Sequence, residues 1–175
     1  LMKQQFGDVS RMAARFVTSE VANEAEALAG ARDIIAEWIN ESPVARQRLR
    51  TLFQHEAELH AKAVKVKAEE AQNYRDYFDF SEPLKYAKSH RVLAIFRAEA
   101  EGFLRITITP SAEKALEKLD RIFLKANNEA ADQVATAIAD SWKRLLQPSL
   151  ETEFKTAAKQ KADTEAIAVF AENLR

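Results

Sequence analysis

Apolar residues recur at spacings of three and four along most of this chain, the signature of helices with one buried face. Leu28, Ala31, Ile34, Ile35, Trp38 and Ile39 form one such stripe, which predicts a helix over 19–40 with Ser19 as its cap. Met12, Phe16 and Val17 predict a shorter helix around 9–17. Ser42-Pro43 then restarts the chain, because Ser42 supplies a capping oxygen and Pro43 has no N–H to leave unpaired. That third helix sets Val44, Leu49, Leu52 and Phe53 inward and ends near His55 to Glu58. A helix over 89–100 carries Val92, Leu93, Ile95 and Phe96, with Ser89 read as its cap. Thr109-Pro110 opens another, with Ala112, Leu116, Leu119 and Phe123 on its buried face. The clearest stripe spans 128–146 through Ala131, Val134, Ala135, Ile138, Trp142, Leu145 and Leu146. A last helix runs from Pro148 through Leu150, Phe154, Ala158, Ile167, Phe170 and Leu174, with a break expected near Asp163.

Two segments follow a period of two instead. Residues 59–66 alternate apolar and polar, and 103–109, just after Gly102, are rich in β-branched side chains and stop at Pro110. A two-stranded ribbon is marginal alone, so helices must pack on it. The expected fold is therefore mainly α: one multi-helix domain over 1–175 with a short two-stranded β ribbon.

Composition supports this picture. The 175 residues are 47% hydrophobic and 30% charged, with only 3 Gly and 4 Pro, which suits long helices and not a β-sandwich. There is no cysteine, which removes disulfides, Cys-ligated metals and thiol catalysis. No apolar run approaches the roughly 18 residues of a membrane span, and residues 1–7 show no signal-peptide stretch. A cytoplasmic location and no membrane partner are expected. The chain starts with Leu before Met and ends in an uncapped helical pattern, so it reads as a fragment of a longer protein.

The net charge is −1, but it is unevenly spread. Residues 1–41 sum to −3, residues 42–125 to +4 and residues 126–175 to −2. The basic middle permits a phosphate-facing patch. Lys62, Lys65, Lys67, Arg91, Arg97 and Arg105 lie on or near the two strands and the helix between them, and convergence would suit phosphates. The competing reading is a solvated face with local ion pairs. Tyr74, Tyr77, Phe78 and Phe80 could stack bases, but such clusters more often pack under a loop.

Catalytic motifs are missing. His55-Glu56 is followed by His60, five residues on and in a strand, so the zinc-protease spacing fails. Asp76, Asp79 and Glu82 lack calcium-loop spacing and a turning glycine; they read as turn caps and partners of Arg75. Three distant glycines cannot make a phosphate loop. Ser89-His90 has no nucleophile-elbow context. No enzyme activity, metal or cofactor is expected.

The run from Lys65 to Leu84, Lys-Val-Lys-Ala-Glu-Glu-Ala-Gln-Asn-Tyr-Arg-Asp-Tyr-Phe-Asp-Phe-Ser-Glu-Pro-Leu, resembles the central segment of Tex-type bacterial transcription accessory proteins. The stretches 29–37, 89–97, 145–153 and 168–175 agree with it in order, so the likeness covers nearly the whole chain. The resemblance implies a cytoplasmic, multi-domain, mostly helical nucleic-acid-binding protein linked to transcription. It places this chain before an RNase-H-like domain, with that domain, the helix-hairpin-helix modules and the OB-type RNA-binding domain outside it. It implies a helical scaffold or interaction segment with at most an auxiliary phosphate-contacting face, or else a docking module for the transcription machinery without nucleic-acid contact. The partner would be RNA or DNA, bound through the full-length protein. Lys65, Lys67, Arg75, His90, Arg91 and Arg97 fall inside the matching stretches and are the candidate contacts. A structural role is the other reading for two of them: Arg75 and Arg91 anchoring the aromatic loop through Asp76, Asp79 or Glu82. For protein docking, Trp38, Trp142 and Phe170 are the candidate exposed anchors.

Overall fold

A computed structural model of the chain describes residues 1–65 and 69–175. Among the described residues it is mainly α-helical with a small antiparallel sheet. The helices are α1 (Val9–Ala13), α2 (Glu24–Glu41), α3 (Pro43–Glu56), α4 (Ser89–Ala100), α5 (Ala112–Phe123), α6 (Glu129–Ser141) and α7 (Gln147–Asn173). The strands are β1 (Glu58–Ala63), β2 (Asp79–Pro83) and β3 (Leu104–Thr109), in the order β2-β1-β3. No helix among the described residues is long and apolar enough to cross a membrane. The chain folds into two compact units, each made of two segments. The first combines residues 1–50 with 112–148, and the second combines 51–111 with 149–175.

In the first unit α2 packs on α6. Ile35, Ala36 and Ile39 of α2 and Val134, Ala137 and Ile138 of α6 are buried. Two polar bonds fix the pair: Arg32 Nη1 donates to Gln133 Oε1 at 2.6 Å, and the buried Ser141 hydroxyl donates to the Ala36 carbonyl at 2.8 Å. The stripe read from sequence is therefore rotated. Ile34 and Trp38 stand in solvent, since only one of each neighbouring pair, Ile34/Ile35 and Trp38/Ile39, can face α6. The cap of α2 is also corrected. Asn23, not Ser19, accepts from the Glu26 N–H at 3.0 Å, while the Glu26 carboxylate accepts from the Ala22 N–H at 2.8 Å. That reciprocal pair satisfies two otherwise free donors and sets the helix start. Within α2, Gly30 costs helix stability by about 0.5–1 kcal/mol relative to alanine.

Gln4 holds the other end of this unit. It is buried, with a left-handed φ of 50°. Its amide Nε2 donates to the Phe123 carbonyl at 2.6 Å. Its Oε1 accepts from the Lys125 and Ala126 N–H groups at 2.6 and 3.1 Å. Its own carbonyl accepts from Asn128 Nδ2 at 2.7 Å, and Asn128 in turn caps α6 by accepting from Ala131 N–H. One residue, through its side chain and its own carbonyl, thus ties the end of α5 to the start of α6.

In α3, the Ser42 hydroxyl accepts from the Ala45 N–H at 3.3 Å, as the Ser-Pro pair predicts. Leu49, Leu52 and Phe53 are buried, but Val44 is exposed. Ser89 does not cap α4. It is the first helical residue, and its hydroxyl bonds to Glu165 instead. Helix α7 continues past Asp163 without a break, and its residues from 163 onward are exposed.

The second unit is built on the sheet. β1 pairs with β3 as the two period-two segments predict, in the register Leu59 to Ile108 and Ala61 to Ile106. β2 adds a third strand, with Leu59 opposite Glu82 and Ala61 opposite Phe80. The inner face carries Leu59, Ala61, Leu104, Ile106 and Ile108, all buried. Phe53 is fully buried, and its ring lies 5.0 Å from that of Phe154 on α7.

The free edge of β3 is closed by side chains. The Ile106 N–H donates to Glu99 Oε1 at 3.1 Å, and the Ile108 N–H donates to Glu151 Oε2 at 3.2 Å. Lys155 Nζ donates to the Ile106 carbonyl at 2.7 Å and lies 3.3 Å from Glu99 and 3.9 Å from Glu151. Three side chains from two helices thereby take the place of a fourth strand, which answers the tendency of bare edges to recruit other chains. Lys155→Met is expected to lower stability by about 1–2 kcal/mol, because a carbonyl and two carboxylates lose their cation. It should also raise concentration-dependent light scattering; a urea midpoint and scattering equal to the parent chain would refute this account.

Candidate nucleic-acid interface

The sheet presents a polar outer face. Residues alternate across each strand, so Glu58, His60 and Lys62 of β1 point opposite to the buried Leu59 and Ala61. Their cross-strand neighbours are Asp79 and Ser81 on β2 and Arg105 and Thr107 on β3. Glu58 is the polar hub at one end, 3.2 Å from His60 Nε2 and accepting from the Ser81 hydroxyl at 3.3 Å. At the other end Lys62 stands between Asp79 and Arg105 in register. Both cations are exposed. Like charges directly opposite one another cost stability, and Asp79 can balance only one of the two.

The six sequence candidates separate into groups. Lys65 is exposed just beyond β1, and His90 is exposed at the start of α4. Arg75 is exposed in the 3-10 segment Gln72–Tyr77, which packs against β1, β2 and α4. Lys67 lies outside the described residues. Arg91 is bound to Glu82 on the inner side of β2, and its guanidinium sits 5.5 Å from the centre of the Phe80 ring. Arg97 Nε donates to Glu101 at 3.1 Å. Arg91 and Arg97 are therefore partnered within the fold. The pairing of Arg91 with Glu82 realises the anchoring reading, while no ion pair joins Arg75 to Asp76 or Asp79 among the described residues. Lys62 and Arg105 stand out once the register is known. Their signal in the sequence is the alternation of two strands that pair, which puts both on one face.

The aromatic segment is mostly packed on itself. Tyr74 lies 5.9 Å from Phe103, and Tyr77 meets Phe80 edge to face at 5.6 Å. Burial, then the hydrogen bond to Glu101, push the Tyr74 phenol above its ordinary range. The ring sits in a small side cluster with its hydroxyl donating to Glu101, as the packing reading expects. Among the described residues, no group of three or more His, Asp or Glu is arranged to hold a metal ion.

The comparisons with known proteins are consistent with one another. The sequence profile described as Tex central region-like matches residues 6–170. The chain is 35% identical over 158 residues to the uncharacterized protein YdcI of Bacillus subtilis, covering 89% of this chain and 22% of that protein. It is 35% identical over 174 residues to protein YhgF of Escherichia coli, covering 93% and 22%. It is 32% identical over 182 residues to the transcriptional accessory protein Tex of Neisseria gonorrhoeae, covering 100% and 24%. The chain spans less than a quarter of the length of each of these relatives.

Proposed function

The chain belongs to the Tex central region-like family, and on that premise we propose that it is a helical scaffold and interaction segment of a cytoplasmic transcription accessory factor. Its outer sheet face around Lys62 and Arg105 makes auxiliary contacts to nucleic-acid phosphates, with Lys65, Lys67, Arg75 and His90 as further contacts and Arg91 and Arg97 as fixed background charge. One observation carries this reading: two exposed cations stand side by side in register on a solvent-facing sheet, with Asp79 opposite Lys62 on its other side. A phosphate would relieve their repulsion and satisfy both. The role is binding, not chemistry.

Anisotropy titrations of labelled single-stranded RNA and duplex DNA test it. The Lys62→Glu/Arg105→Glu double variant is expected to bind at least tenfold more weakly, about 1.4 kcal/mol. Its salt dependence should be shallower by roughly two phosphate contacts. Equal binding by parent and variant, or no binding by the parent at low salt, would overturn the phosphate-contacting face.

A second reading, a protein-docking module, is favoured by a different observation. Trp38 and Ile34 on α2 and Phe16 beside α1 are exposed, as is Phe170 on α7. Trp142, a candidate anchor by sequence, is buried in the π-helical turn Trp142–Leu146 and is not part of such a surface.

A further inference from the structure

The first unit carries an apolar groove of about 550 Å³ between α1 and α2, lined by Val9, Met12, Phe16, Val21, Ala27 and Ile34 among others. Phe16 is 69% exposed and Ile34 54%, and Trp38, one turn beyond Ile34, is 56% exposed. Large apolar side chains exposed together on one face are the kind of patch that marks an interaction surface. Gly30 also lines the groove, in the middle of α2. A Cβ added there would meet nothing within 4 Å. The chain's own packing therefore does not require glycine, although glycine weakens the helix. What a bare helix surface permits is close approach by another backbone, since the distance between packed helices is set by the side chains at their crossing.

The carboxylates around this face gather on α2. Glu26 lines the groove, and Asp33 and Glu37 line the adjoining hollow that Ile34 shares. Arg144 also borders that hollow; its guanidinium is held by Asp140 at 2.8 Å and also feels Asp33 and Glu37, so it offsets part of their charge. Arg11 and Arg15 belong to the α1 side, so the acidic rim runs along α2.

We propose that the α1–α2 face docks a basic amphipathic helix of a partner protein. Its apolar side chains enter beside Phe16 and Ile34, its backbone crosses α2 at Gly30, and its lysines or arginines meet Glu26, Asp33 and Glu37. Helix-in-groove recognition of this type takes affinity from the apolar anchors and orientation from the charges. The proposal rests on the protein-docking reading and is independent of the sheet face.

The test titrates the full 175-residue chain with a labelled helical peptide of leucine and lysine in amphipathic order, and with its leucine–glutamate counterpart. Anisotropy and Trp38 emission are read together. The lysine peptide should bind saturably and shift the emission to the blue, and Trp38→Phe should abolish the shift. Gly30→Leu should weaken binding at least tenfold without lowering Tm, because leucine is the better helix former and a Cβ there meets nothing within 4 Å. The triple variant Glu26→Gln/Asp33→Asn/Glu37→Gln should weaken it severalfold and flatten its salt dependence. Undiminished binding by Gly30→Leu overturns the proposal. Preference for the glutamate peptide overturns the basic partner and leaves the docking reading standing, while binding of neither peptide removes both. Self-association abolished by Gly30→Leu would assign the face to a second copy. A longer polypeptide containing this chain that refuses the peptide would show the groove covered from within. Either result overturns a separate partner.

Discussion

Phe53→Ala will lower the unfolding free energy by about 3–5 kcal/mol, the usual range for removing a buried aromatic ring. Phe53 is fully buried, and its ring packs 5.0 Å from Phe154 at a 35° tilt. The substitution removes the transfer energy of the ring and leaves a cavity beside Phe154 on α7. Typical total stability is about 5–15 kcal/mol, so the variant should remain folded but melt far earlier. Urea unfolding followed by far-UV circular dichroism measures it. A loss below about 1 kcal/mol would mean that the site collapses freely and that the Phe53–Phe154 contact is not a structural centre.

Gln4→Leu will cost about 2–4 kcal/mol, although the residue lies close to the chain start. The loss arises from the groups left behind. The Phe123 carbonyl and the Lys125 and Ala126 N–H groups each lose their partner, and a buried unpaired group costs about 1–3 kcal/mol. Water can reach some of them, which holds the sum below the maximum. At roughly 2–4 °C per kcal/mol for a chain of this size, Tm should fall by about 4–16 °C. Gln4→Glu separates the donor from the acceptors. Its ionised carboxylate keeps the two N–H partners but faces the Phe123 carbonyl without a proton. The Gln4→Glu variant should therefore melt between the parent and Gln4→Leu at neutral pH. A Gln4→Leu variant that melts with the parent would show that Gln4 is dispensable.

Local signals in the sequence located most elements, and long-range partnerships escaped it. The periodicity over 89–100 coincides with α4, and Ser42-Pro43 marks the start of α3 because both signals act within one helical turn. The face of α2 is ambiguous in the sequence because consecutive pairs, Ile34/Ile35 and Trp38/Ile39, suit two stripes equally, and only the position of α6 decides between them. β2 is short, charged and ends in proline; nothing in Asp79-Phe-Ser-Glu-Pro favours a strand except a neighbour already in place. Gln4 is invisible for the same reason, since its partners lie about 120 residues away. In the candidate interface, charge alone could not tell Arg91, bound to Glu82, from the exposed Lys62 and Arg105. The register of the sheet makes that distinction, and register is a property of paired strands, not of either one.

The closed edge of β3 also sets an order of events while the protein is being made. Glu99 is synthesised before the strand it covers, but Lys155 follows Ile106 by 49 residues and Glu151 follows Ile108 by 43. At ribosomal speeds of about 5–20 residues per second, the strand waits roughly 2–10 s for its last two partners. During that interval a nascent chain holds a completed sheet with a half-open side, next to other nascent chains doing the same. A product that stops before Lys155 never leaves that state, so premature termination here should yield material that clumps rather than a smaller folded protein.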